Sequence, residues 1–189
     1  MERRQLLRSG DARGSDDVGF VLAALDDVET LVRVDPHRVY ATGISNGGMM
    51  SYRLGCEASD RLAAIAPVAA TVVFDGCAPS TPISVLHIHG LADNNVPFDG
   101  GLPTKALQAT PPSYPPVRDG IATFVQADGC TPKPRTRTTG MVTRETWRGC
   151  DGRTAVQLVT IADGGHSWPG GVQMAAILAP PARRSMPLR

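Results

Sequence analysis

From Val18 onward, apolar residues return at steps of three and four: Val18, Val21, Leu22, Leu25, Val28, Leu31 and Val32. That period places them on one face of an α-helix. Ser15, Asp16 and Asp17 supply capping oxygens and negative charge at its start. Asp35-Pro36 ends it, because proline disfavours helical geometry in the residue before it. The pattern then changes. Residues 38–42 (RVYAT) are a short β-favouring run expected to stop at Gly43, and 46–56 read as a second helix. Apolar runs at 62–68, at 83–89 (ISVLHIH) and at 155–161 (AVQLVTI) predict buried strands. A stretch rich in Pro, Gly and Asn, without periodicity, lies between about 94 and 115, followed by a helix over 117–127. The threonine-rich residues 135–147 predict a polar hairpin or edge strand, and no internal repeat is found. Strands that alternate with helices, several of them continuously apolar, predict an α/β fold with a parallel sheet covered on both faces.

Composition narrows the class without choosing a function. A chain of 189 residues is long enough for one domain with a substantial core. The net charge of +1, with no basic stripe interleaved with aromatics, gives no electrostatic case for nucleic acid. No stretch approaches the roughly 20 apolar residues of a membrane span, so no membrane partner is expected. Residues 1–14 carry positive charge but only Leu6-Leu7 as an apolar centre, which is not a secretion signal as it stands. Cys56, Cys77, Cys130 and Cys150 show no zinc-like spacing, so neither a metal nor another cofactor is expected. Four cysteines allow three pairings; the reading favoured here joins neighbours along the chain, Cys56 with Cys77 and Cys130 with Cys150. The alternative is four reduced thiols in a cytosolic protein.

Gly43-Ile44-Ser45-Asn46-Gly47 matches G-x-S-x-G at a predicted strand-to-helix turn. Such a turn is sharp enough to force strained backbone angles on the serine and raise its hydroxyl above the sheet. The Asn46 N–H, at the helix start, would face the same space and stabilise an oxyanion. A nucleophilic serine needs a base. Of the four histidines, His37 belongs to the opposite end of the serine strand, and His87 and His89 alternate within an apolar strand. His166 follows the last strand in a glycine-rich loop, at the end where Ser45 belongs. The base needs a carboxylate; Asp93, just after strand 83–89, is the candidate, with Asp99 its rival and Asp163 too near His166 in sequence to reach around it. The order Ser45, Asp93, His166 is that of nucleophile, acid and base in α/β-hydrolases.

These residues sit in longer motifs: SDDVGFVLAALDD, VDPHRVYATGISNGGMMSYRLGCE, DRLAAIAPVA, VLHIHGLADNNVPFDGG and GGHSWPGG. Over residues 15–171 they resemble the secreted polyhydroxybutyrate-depolymerase-type esterases, a group related to feruloyl and acetylxylan esterases. The resemblance implies an α/β-hydrolase with Ser45 as nucleophile, Asp93 as acid and His166 as base. It also implies export, which suits paired cysteines, and places Trp168 beside the site, where its ring could stack on a sugar or an aromatic acyl group. Family members begin with further strands, one ending in a loop that supplies a second oxyanion N–H, and they continue past the HSWPGG motif into a packed helix. Residues 1–14 and 172–189 match neither part, and Pro180-Pro181 would break such a helix. The expected fold is therefore one partial α/β-hydrolase domain over 1–189, with early strands and C-terminal helix missing.

The function implied is hydrolysis of polymer-linked esters, polyhydroxyalkanoate or acyl and feruloyl groups on polysaccharide, through an acyl-enzyme. Two alternatives stay open: a truncated, inactive remnant of this family, and a secreted carbohydrate-binding protein using the Trp168 loop. Neither the acyl group nor the oligomeric state is legible.

Overall fold

The computed structural model describes residues 16–105 and 112–171. Expectations placed on Ser15, on residues 1–14 and on 172–189, Pro180-Pro181 included, lie outside the described residues. The first helix, α1 (Asp17–Leu31), is capped by Asp16, whose carboxylate accepts from the Gly19 N–H. Its apolar stripe has the predicted period, yet only Val18 is buried; Leu31 and, just past the helix, Val32 are 80% and 57% exposed. Salt bridges from Arg61 to Asp26 and Glu29 tie the helix to the segment before β2. A 3-10 turn, Pro36–Arg38, leads into β1 (Tyr40–Ile44). This strand does not stop at Gly43. It runs on to Ile44 because β2 (Ala64–Val68) pairs with it over its whole length.

Helix α2 (Asn46–Glu57) joins these two strands. Next come β3 (Ser84–Gly90), α3 (Val117–Ala127), β4 (Arg135–Thr139), β5 (Val142–Trp147) and β6 (Val156–Ile161). All strands form one sheet in the order β1-β2-β3-β6-β5-β4. β1, β2, β3 and β6 are parallel, whereas β5 runs antiparallel to β6 and β4 antiparallel to β5. The sheet is thus mixed, not wholly parallel. The threonine-rich segment turns at Gly140 (φ +58°) and returns beside itself, which requires antiparallel pairing.

One face of the sheet is densely covered. Tyr52 of α2 and Ile121 and Phe124 of α3 pack on Ile65, Val85 and Leu158. On the other face Leu86, Ile88 and Ile161 are only half-buried. Val159, the partner of Ile88 on β6, is buried there all the same. Disulfides Cys56–Cys77 and Cys130–Cys150 fasten the ends of α2 and α3 to neighbouring loops. No helix among the described residues is long and apolar enough to cross a membrane.

The register matters for the site. Ile44 stands opposite Val68, Val68 opposite Ile88, and Gly90 opposite Ile161, so the four parallel strands end along one edge. Open α/β sheets bind ligands beyond that edge.

Candidate active site

Ser45 stands between β1 and α2 with φ +57° and ψ −121°, a conformation L-residues rarely take. Its N–H donates to the Val68 carbonyl at 3.0 Å and its carbonyl accepts from Met49 at 2.9 Å, so both peptide groups are held. Its hydroxyl caps nothing in the helix. The turn is possible because Gly43 lies against the Gly47 backbone, where an added Cβ would meet the Gly47 carbonyl carbon at 2.5 Å. The second glycine of the pentapeptide behaves otherwise: a Cβ on Gly47 would meet nothing within 4 Å. Gly48 takes that role instead, lying against Ala70 and the Val68 carbonyl. Asn46 is the first residue of α2, and the amides of a first helical turn have no intrahelical acceptor.

Asp93 and His166 come from the ends of β3 and β6, which are stitched together. Leu91 N–H donates to the Ile161 carbonyl and Ala92 N–H to the Gly164 carbonyl, each at 2.9 Å. Gly90 and Gly164 approach so closely that a Cβ on Gly90 would overlap the Gly164 carbonyl. Across this junction His166 Nδ1 lies 2.8 Å from Asp93 Oδ2, with both side chains buried. A carboxylate only accepts, so Nδ1 carries the proton and Nε2 is left as the basic nitrogen. The other Asp93 oxygen, Oδ1, accepts from the N–H groups of Asn95 and Val96, each at 2.9 Å. Tyr114 also feels this carboxylate: burial, and then the Asp93 charge, push its phenol up from the ordinary value.

The structure brings Asp93 and His166 into contact and sets Ser45 on the same sheet edge. Among the described residues no hydrogen bond joins the Ser45 hydroxyl to His166. Val68 bonds the Ser45 amide and shares a narrow cleft with Gly165, Ser167 and Pro169, on the loop that carries His166. Apo enzymes commonly show such a nucleophile–base contact open. The rivals lie elsewhere. Asp99 and Asp163 are exposed, and His37 sits in the 3-10 turn before β1, at the far end of that strand. Trp168 follows His166 by two residues on the loop surface and is 46% exposed. Among the described residues no group of three or more His, Cys, Asp or Glu could hold a metal ion.

What the sequence did not mark is the polar row behind Asp93. Tyr52 Oη is 2.8 Å from His87 Nδ1, and His87 Nε2 is 3.0 Å from His89 Nδ1. His89 Nε2 reaches the Val96 carbonyl at 2.9 Å and lies 3.5 Å from Asp93 Oδ2. Burial, with the neighbouring His89, lowers the His87 imidazole well below the ordinary value. Burial also lowers His89, against an opposing pull from Asp93. The alternation of His87 and His89 in β3 was the available signal, and by itself it spoke only for burial.

No protein-family model matches the chain. Among curated proteins it is 35% identical over 158 residues to feruloyl esterase B of Piromyces equi, covering 81% of this chain and 29% of that protein. It is 37% identical over 170 residues to the putative esterase NocK of Nocardia uniformis, covering 82% of this chain and 49% of the relative. A probable feruloyl esterase C of Aspergillus niger is 34% identical over 173 residues, covering 88% of this chain and 56% of its own length. The chain therefore spans between about a quarter and just over half of these relatives. None of the three carries the polyhydroxybutyrate name. Since the parallel strands, the strained serine turn and the acid–histidine junction follow the α/β-hydrolase order, and most of the chain aligns with esterases at 34–37% identity, the chain belongs to a feruloyl esterase-like family of α/β-hydrolases.

Proposed function

We propose that this chain carries the catalytic centre of a serine ester hydrolase, with Ser45, Asp93 and His166 as nucleophile, acid and base. The observation that supports it most is the buried 2.8 Å contact between His166 Nδ1 and Asp93, which leaves Nε2 free to act as base. Ser45 Oγ adds to the ester carbonyl as Nε2 takes its proton. The carbonyl π electrons move to oxygen, and the Asn46 N–H stabilises that oxyanion with the start of α2. Collapse expels the alcohol, which receives the proton from Nε2. Water then repeats the sequence on the acyl-enzyme, releasing the acid and restoring the serine. Asp93 holds the ring in one tautomer and offsets the imidazolium charge; it is not itself protonated.

The substrate class proposed is an acyl ester borne on plant polysaccharide, with feruloyl esters tested first, in keeping with the names of two relatives. Polyhydroxyalkanoate, also expected from the sequence, draws no support from them. Trp168 is assigned to substrate binding: its exposed ring, two residues after His166 in the chain, suits stacking on a sugar or aromatic acyl group. Two disulfides and the family support an extracellular location. The test is release of ferulic acid from methyl ferulate and from a feruloylated arabinoxylan fragment. Turnover of both, with Trp168→Ala raising KM chiefly on the polysaccharide ester, supports the assignment. Hydrolysis of hydroxybutyrate oligomers in preference to either would refute the substrate class.

A further inference from the structure

We infer that Tyr52, His87 and His89 form a one-directional hydrogen-bond relay that positions Asp93 against His166. The inference rests on the Asp93–His166 reading above only for its consequence in turnover; the relay itself stands on geometry. Its direction follows from one fixed end. The Val96 carbonyl can only accept, so the proton between them sits on His89 Nε2. A neutral His89 then presents Nδ1 as an acceptor, and His87 must donate to it through Nε2. His87 Nδ1 in turn accepts, so the Tyr52 hydroxyl donates. Every buried polar atom in the row is satisfied with one proton per ring. Reversal would need both nitrogens of His89 protonated, a cation with no exposed surface in a stack of rings 5.2–5.7 Å apart. Burial opposes that cation.

The relay reaches the acid through Val96. This residue accepts from His89 with its carbonyl and donates to Asp93 Oδ1 with its amide, so pinning one side fixes the other. The same row begins on α2, the helix that Ser45 opens. It therefore links the serine's element to the acid's loop through the interior, while Asn95 and Val96 leave Asp93 Oδ2 for His166. None of the three relay residues is assigned to touch substrate; they are positioning residues.

Two measurements on the full chain test this. In long-range 1H–15N spectra of the wild-type protein at pH 7, His87 and His89 should both show the Nε2–H tautomer. A Nδ1–H tautomer or a doubly protonated ring at either residue would overturn the relay. Next, His89→Phe is compared with His89→Gln, whose amide keeps one acceptor and one donor. His89→Phe should lower kcat on a short activated ester at least about tenfold, since misplacement by about 1 Å can cost a hundredfold. KM should stay within about twofold, and His89→Gln should recover most of kcat. The low-field proton shared by His166 and Asp93 should be lost in the Phe variant and kept in the Gln variant. An unchanged kcat and proton signal in His89→Phe, or a Gln variant as impaired as Phe, would show that the row only packs. If the wild-type chain has no turnover, the esterase reading fails, while the tautomers and the shared proton still decide the relay; a His89→Phe chain that does not fold leaves the tautomers to decide it.

Discussion

Ser45 is held at positive φ by its neighbours, at a cost of about 1–3 kcal/mol for a non-glycine residue. The constraint falls unequally on the two glycines that frame it. Gly43→Ala should destabilise the protein by at least about 2 kcal/mol, since its methyl would enter the Gly47 backbone. Gly47→Ala should be neutral or stabilising by up to about 1 kcal/mol, because the space is open and a helical glycine is replaced. Urea unfolding of both variants checks this, and equal losses would be the wrong result. The buried histidines make a second residue-scale prediction. Their folded pKa values are depressed, so the unfolded chain binds protons first as pH falls. Stability is therefore full above the unfolded value of 6.5 and declines below it. Stability should therefore fall between pH 7.5 and 5.5, with His87 contributing to the loss. A folded protein whose His87 ring titrates near pH 6.5 would contradict this.

At the scale of elements, periodicity carried far. The helix over 117–127 stands as expected and α2 ends within one residue of its sequence boundary, whereas α1 stops at Leu31, four residues before Asp35. Strand ends were less legible. Gly43 reads as a stop because glycine weakens strands, yet pairing with β2 carries the strand through it. Burial was less legible still: Leu31 and Val32 satisfy a helical stripe while standing open to water. At the candidate site, motif and order were enough to place Ser45, Asp93 and His166 after strands that end on one edge. The Tyr52–His87–His89 row was not, because its closing partner is a backbone carbonyl whose position depends on the folded loop. The Cys130–Cys150 bridge joins the end of α3 to the turn after β5 across 20 residues. Replacing both cysteines by alanine should cost about 2–4 kcal/mol in urea unfolding; an unchanged midpoint would mean that the bridge does not constrain the unfolded chain.

Over the whole molecule, a sheet whose parallel strands end in register brings residues 48 and 73 positions apart to one edge. The hairpin β4–β5 extends the opposite side of the sheet and contributes none of the three assigned catalytic residues. At the other end β1 is the edge strand among the described residues, with Tyr40 62% exposed. Under the proposed function, acyl transfer at this edge goes through Ser45. It is tested most directly by comparing hydrolysis of a short activated ester by the purified wild-type chain and by Ser45→Ala at neutral pH. Measurable turnover is expected from the first and a rate at least about 10³-fold lower from the second. Equal rates in the two proteins would contradict it.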